Sequence, residues 1–328
     1  MIYFRVDGTK DIGMGHIFRC ISLAKELSSS NDIIFFIEKS NKSRELVVSK
    51  GFAVAAPEHF EDFSSWDNKK KVVITDIIES ETIEKWLKTI NSKRNDIFHI
   101  GIHDQGLNQF QSDIIIDGSV VNSKPYPKNK EMVYLLGKEY MIINPKFETL
   151  HHKQKKYPDK ISNILLFFGG SDPSNITEIV GNKLAESFPQ KAIYAIAGPE
   201  SEILSKSFEN YHNVKILKGL KDISELIHQC DIIVCSGGII LFEAACLGTP
   251  SIAINHDKFQ DQTASFFHKK GITINLGLFK KLKIDELINT IISLDQNPQM
   301  LNSIGSKGKE FIDGKGVYRI KEFLENLL

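Results

Sequence analysis

Two Rossmann-like α/β domains are the fold that this sequence predicts, on three observations. Short apolar runs alternate with stretches of helical periodicity along the chain, the pattern of parallel strands joined by crossover helices. A basic, polar stretch containing Pro158, near residues 146–160, interrupts that alternation as a linker does. Its 328 residues, at roughly 100–200 per domain, suit two domains.

The first half offers strand candidates at residues 2–6, 33–37, 72–75, 97–102 and 114–116, with helical stretches at 17–27 and 81–90. In the first of these helices Ile17, Cys20, Ile21, Ala24 and Leu27 recur on one face. The second half offers strands at 164–168, 192–197, 214–217, 232–235 and 251–254, and helices at 176–188, 222–229, 239–246 and 261–268. The expected layout is an N-terminal domain over 1–147, a C-terminal domain over 158–315, and a last amphipathic helix over 316–328 that crosses back to the first domain. Ligand would then bind in the cleft between the domains, beyond the carboxyl ends of the strands.

Composition narrows the class. Lys+Arg and Asp+Glu are both 41, so the formal net charge is zero and no broad nucleic-acid footprint is expected. The four cysteines, Cys20, Cys230, Cys235 and Cys246, form no CxxC pair and sit in apolar stretches, as reduced core cysteines do. The N-terminal residues MIYFRVDG are too short and polar for a signal peptide, and no apolar run reaches the ~18 residues of a membrane span. A cytoplasmic protein without membrane insertion is the expectation.

Four strand-to-helix loops carry the chemistry. The first runs RVDGTKDIGMGHIFRC from Arg5 to Cys20. Gly13 and Gly15 admit close approach of backbone N–H groups to a ligand, and the following helix directs its positive end there. His16 opens that helix, where the dipole favours the neutral imidazole that a general base requires. The second is LFFGGSDPSN, in which Gly169, Gly170 and Asp172 face phosphate or sugar, or else Ser171 or Asn175 merely caps the next helix. The third, SGGIILFEAACLGTP, is the strongest signal: Ser236, Gly237 and Gly238 open a helix whose first N–H groups have no partner, and Gly248 and Pro250 close it. Glu243 is a carboxylate in an otherwise apolar helix, where ribose hydroxyls would satisfy it. In the fourth, NHDKFQDQ, Asp261 and Gln262 are candidates for sugar hydroxyls, with Asp261 alternatively an N-cap. No metal-ligand spacing appears: His103–Asp104 and His151–His152 are merely adjacent. A departing diphosphate would be neutralised by helix N-termini and cationic side chains.

Taken in order, Arg5-x-Asp7, IGMGHIFRC, LLFFGGSDPSN, SGG…FEAACLGTP, Asp261-Gln262 and IDGKG resemble the pseudaminic acid pathway UDP-sugar hydrolases and the related spore-coat polysaccharide biosynthesis proteins, within the GT-B-like superfamily. The resemblance implies no cofactor, a UDP moiety held on Gly237, Gly238 and Glu243, and the Gly169–Asp172 loop at its border. It implies that His16 activates water against the anomeric carbon, with UDP leaving under inversion. Arg5, Asp7, Gly13, Gly15 and Arg19 would shape the sugar side. Two departures are visible: no Tyr follows Asp76 in the segment TDII, and Asp261-Gln262 stands where the family has Asn-Gln. The leading expectation is a metal-independent inverting hydrolase releasing a deoxy-amino sugar. Its rivals are a glycosyltransferase using the same donor and a non-catalytic nucleotide-sugar binder.

Overall fold

The computed structural model describes residues 1–9, 13–60, 71–78, 80–92, 97–106, 109–126, 129, 131–170, 172–198, 205–220 and 222–327. The chain divides into two compact units, Met1–Asn144 with Lys315–Leu328, and Pro145–Gly314.

The first unit is built on a seven-stranded sheet of order β3-β2-β1-β4-β5-β6-β7. Its strands are β1 (Ile2–Val6), β2 (Ile33–Phe36), β3 (Ala53–Ala55), β4 (Lys71–Asp76), β5 (Ile97–Ile102), β6 (Ile114–Asp117) and β7 (Val133–Leu136). All neighbours pair in parallel. Both faces of the central strands are buried, which is why β1 and β4 are mostly apolar without a two-residue alternation, their polar members Arg5, Lys71, Thr75 and Asp76 being buried as well. Helices α1 (Gly15–Leu27), α2 (Asn41–Ser49) and α3 (Ser80–Ser92) follow β1, β2 and β4. The core on one face joins Ile2, Phe4, Ile17, Leu23 and Ile74; on the other, Tyr3, Phe36, Phe60 and Trp86 stack edge to face.

The second unit repeats the design with a six-stranded sheet, β10-β9-β8-β11-β12-β13. These strands are β8 (Asn163–Phe167), β9 (Ala192–Ala197), β10 (Val214–Lys218), β11 (Ile232–Cys235), β12 (Ser251–Asn255) and β13 (Thr273–Leu278). Its helices are α4 (Lys146–His151), α5 (Ile176–Ser187), α6 (Ser224–Gln229), α7 (Ile239–Leu247), α8 (Lys258–Lys269), α9 (Ile284–Asp295) and α10 (Pro298–Phe311). Helix α11 (Gly316–Leu327) returns to the first unit, placing Val317, Ile320 and Leu324 in the core that holds Ile2 and Leu27.

In each sheet the strand order reverses once, between β1 and β4 in the first unit and between β8 and β11 in the second. Parallel α/β sheets place their ligands outside the carboxyl ends of the strands at that reversal, where two loops part in opposite directions. The four chemistry-bearing loops include both strands of the second reversal and one strand of the first.

The basic stretch expected as a linker is not simply solvated. Its first residues form α4, with Phe147 and Leu150 buried. Lys155 is 9% exposed and donates its ammonium protons to the carbonyls of His228 and Cys230, closing the carboxyl end of α6. All four cysteines are free and buried. Among the described residues no helix is long and apolar enough to cross a membrane.

Candidate functional site

At the first reversal, α1 begins two residues after Gly13, whose φ of +87° only glycine adopts freely and whose N–H closes a turn on the Thr9 carbonyl. Lys10, Asp11 and Ile12 lie outside the described residues. Gly15 heads the helix and His16 follows, 12% exposed. Parallel pairing of β1 with β4 sets Val6 opposite Asp76, so the Asp76 carboxylate emerges at the same sheet end. The two meet there: His16 Nδ1 lies 2.8 Å from Asp76 Oδ1, across sixty positions of sequence. A carboxylate oxygen only accepts, so where Nδ1 donates to it Nε2 keeps its lone pair; Arg19 Nη2, a donor, also lies 2.9 Å from Nδ1.

Arg19, one helical turn beyond His16, grips the same carboxylate. Its Nε donates to Asp76 Oδ2 at 2.7 Å and its Nη2 to Oδ1 at 2.7 Å, while Nη1 donates to Asp104 Oδ2 at 3.1 Å. Burial by itself would push the Asp76 carboxyl up; the charges and hydrogen bonds of Arg19 and His16 outweigh it and hold Asp76 well below the usual carboxylate range. The same balance holds for Arg19, where burial opposes the charge and Asp76 more than restores it. Arg19 was expected to face the sugar. It is 7% exposed and its guanidinium is spent on two protein carboxylates, so its contribution is to the geometry of His16. His103, next to Asp104, is buried between Phe110 and Tyr126, and burial pulls it down to about 4, so it stays neutral.

Arg5 and Asp7 also have an internal task instead of the sugar-facing one expected. Arg5 Nη1 donates to Asp7 Oδ2 at 2.6 Å and Nη2 to Glu38 Oε2 at 2.9 Å. Asp7 Oδ1 accepts the backbone N–H groups of Glu38 and Lys39 at 2.8 and 3.1 Å. With exposures of 1% and 3%, the pair pins the loop after β2 to the end of β1.

At the second reversal, the β8 loop turns through Gly169, φ +98°, and the backbone of Gly170 lies so close to Gly198 that a side chain at 198 would strike it. Asp172 is no sugar ligand in this geometry: its two oxygens accept the N–H groups of Ile176 and Thr177, both at 2.9 Å, capping α5. Asn175 occupies the N-cap position in a left-handed conformation without a side-chain capping bond, and Ser171 lies outside the described residues. His256, after β12, ties this loop in place by donating from Nε2 to the Phe168 carbonyl at 3.0 Å.

Ser236, Gly237 and Gly238 carry β11 into α7. A methyl group on Gly237 would sit 2.1 Å from the Gln260 carbonyl oxygen, so only glycine lets α8 approach. Gly238 is the N-cap of α7 and brings no side-chain cap to the first N–H groups of that helix, an arrangement with room for an anion. Glu243, on the second turn, is half-buried and has no hydrogen-bond or ion-pair partner among the described residues. Burial, reinforced by the like charge of Asp222, pushes its carboxyl up to about 8.

Asp261 is not the N-cap of α8; Asp257 is, accepting from the N–H groups of Phe259 and Gln260. Asp261 Oδ1 instead accepts from Asn255 at 3.2 Å and Asn275 at 2.8 Å, a polar knot at the end of β12. Gln262 is exposed on α8. The structure thus gathers His16, Gly13 and Gly15 at one sheet end, and Gly169, Gly170, Ser236, Gly237, Gly238, Glu243 and Asp261 at the other. Asp76 and Asp104 were missed in the sequence; the signal for Asp76 was a lone carboxylate ending the buried run KVVITD.

Residues 164–317 match the glycosyltransferase family 28 C-terminal domain. Over 334 residues the chain is 25% identical to the spore coat polysaccharide biosynthesis protein SpsG of Bacillus subtilis, covering 98% of this chain and 96% of that one. It is 23% identical over 303 residues to the UDP-2,4-diacetamido-2,4,6-trideoxy-beta-L-altropyranose hydrolase of Campylobacter jejuni, covering 83% and 98% of the two chains. An uncharacterized protein of Methanocaldococcus jannaschii is 29% identical over 84% of this chain, which spans 60% of that protein's length. Among solved structures, MurG of Acinetobacter baumannii superposes with a TM-score of 0.66 at 12% identity, over 99% of this chain and 100% of that one. The calicheamicin glycosyltransferase CalG4 does so with a TM-score of 0.67 at 11% identity, over 99% and 97%. The paired parallel sheets are those of the GT-B fold.

Proposed function

We propose that this glycosyltransferase-like GT-B protein, with its C-terminal domain of family 28 type, is a metal-independent inverting UDP-sugar hydrolase in the synthesis of a surface polysaccharide or nonulosonic acid. The observation that carries the reading is the His16–Asp76 pair, an imidazole held by a buried carboxylate with Nε2 left to take a proton. Nε2 removes a proton from water as the water oxygen bonds to the anomeric carbon. The bond from that carbon to the diphosphate oxygen breaks on the opposite face, UDP departs, and the sugar is released with inverted configuration. The N–H groups at the start of α7 receive the diphosphate charge and Glu243 the ribose hydroxyls. The likeness to the Campylobacter hydrolase, which acts on a diacetamido-trideoxy sugar by its own description, supports a deoxy-amino sugar as substrate.

A second reading is glycosyl transfer, in which an acceptor hydroxyl replaces water at His16. The family 28 match and the transferases sharing the fold favour it. Incubation of UDP-sugars in ¹⁸O-water without acceptor separates the two. Release of UDP with ¹⁸O in the sugar supports hydrolysis; donor binding without release supports transfer or a binding role.

A further inference from the structure

We propose that Asp104 is a positioning residue that acts through Arg19 to set the charge and the tautomer of His16; this rests on the reading of His16 as the base. Asp76 alone is a poor counter-charge for an imidazole that accepts a proton, because Arg19 occupies both of its oxygens at 2.7 Å and neutralises the pair. Asp104 supplies the second carboxylate, accepting Arg19 Nη1 at 3.1 Å. Asp76, Arg19 and Asp104 then sum to a single negative charge, which stabilises His16 when Nε2 has been protonated.

The second effect is geometric. His16 Nδ1 lies 2.8 Å from Asp76 Oδ1 and also 2.9 Å from Arg19 Nη2. Nδ1 either donates to the carboxylate or accepts from the guanidinium, and only the first choice leaves Nε2 a lone pair. Asp104 holds Nη1, so that Nε and Nη2 stay engaged on Asp76 although Nη2 lies within reach of Nδ1. Its own orientation is fixed by Ser119, whose Oγ donates to Asp104 Oδ1 at 3.1 Å and accepts the Gln105 N–H at 2.8 Å. Without that anchor the guanidinium is free to shift its Nη2 hydrogen bond from Asp76 Oδ1 to Nδ1, which places the imidazole hydrogen on Nε2 and removes the base. Among the described residues, the titratable groups around His16 are Arg19 and Cys20 on α1, Asp76 on β4, and Asp104 and His103 after β5. Cys20 and His103 are buried and uncharged at neutral pH, so among these groups Arg19, Asp76 and Asp104 carry the charge. Because Asp104 is 40% exposed, its influence is graded rather than all-or-none.

The test is nitrogen NMR of the full chain with ¹⁵N-labelled histidine, together with steady-state kinetics. The wild type is expected to show His16 with a protonated Nδ1 and a lone-pair Nε2. Asp104→Asn is expected to raise the population carrying hydrogen on Nε2 and to lower kcat about threefold to tenfold with little change in KM, while Asp104→Glu restores both. Ser119→Ala, which leaves both charges in place, gives a smaller shift in the same direction. Unchanged His16 nitrogen signals in Asp104→Asn overturn the proposal whatever the activity does. A tautomer shift in a protein that turns over no UDP-sugar upholds the positioning role and rejects the hydrolase reading instead.

Discussion

Arg5 and Asp7, two positions apart at the end of β1, close an ion pair at 2.6 Å with both side chains in the core. A buried pair is far costlier to break than to do without, and among the described residues Arg5, deprived of Asp7, would keep only the partly exposed Glu38 as its counter-charge. Asp7→Ala is expected to lower the unfolding free energy by about 3–5 kcal/mol in denaturant melts. Measured on folded protein at low temperature, its kcat should stay close to that of the wild type. An unchanged melt with lost turnover would return Asp7 to the sugar-facing role.

His16→Ala is expected to reduce turnover by about 10²–10⁴-fold, the usual contribution of a positioned base. UDP affinity, measured by calorimetry, should be unaltered, because the nucleotide contacts proposed here lie on the second unit. Turnover surviving intact in this variant would sink the assignment of the base.

Asp76→Asn acts on stability and rate together. The folded-state value of Asp76 lies below the unfolded one, so its contribution is present above the ordinary carboxylate value and fades as pH falls through the folded one. The gap in melting temperature between wild type and variant should therefore be widest near neutrality and begin to close below about pH 4. At pH 7 the variant should also lose kcat, since an amide no longer fixes the Nδ1–H tautomer. Equal melting curves at pH 7 would contradict the ion-pair geometry.

Glu243 runs in the opposite direction. Its folded value, about 8, stands above the ordinary 4.5, so the folded chain keeps a proton that the unfolded chain surrenders. Stability from this group falls as pH rises between those two values and is level above them. Glu243→Gln is accordingly expected to melt higher than the wild type at pH 9 and alongside it near pH 5. It should also weaken UDP binding by about tenfold or more, the worth of a hydrogen bond to a charged group. If the ionised carboxylate receives the ribose, wild-type UDP affinity should climb as pH approaches 8, and that slope should vanish in the variant.

The inner strands were legible because burial makes them mostly apolar over several successive residues: residues 2–6, 97–102, 192–197 and 232–235 were read to the residue. Strands β3, β7 and β13 were not read. They lie at sheet edges, are only partly covered, and so carry a weak pattern. Helices α9 and α10 also escaped, although their apolar periodicity was present in the letters. Gly13, Gly169 and Gly237 each answer a backbone demand that the letter G signals in the sequence. Charged residues give no such signal. Arg5, Asp7, Arg19 and Asp172 look the same in sequence whether they face a ligand or another part of the chain. Only the pairing of β1 with β4 revealed that Asp76 stands beside His16.

Helix α11 has a consequence for synthesis. The first unit draws on Met1–Asn144 and then on Lys315–Leu328, whereas the second is one continuous stretch. A ribosome therefore delivers all of Pro145–Gly314 before Val317, Ile320 and Leu324 can seal the sheet made first. At about 5–20 residues per second, the nascent N-terminal half waits on the order of ten seconds or more with an apolar flank uncovered. The second unit can finish folding in that interval, so the part of the protein translated later is the part able to mature earlier, and the opening half is the natural client of a chaperone.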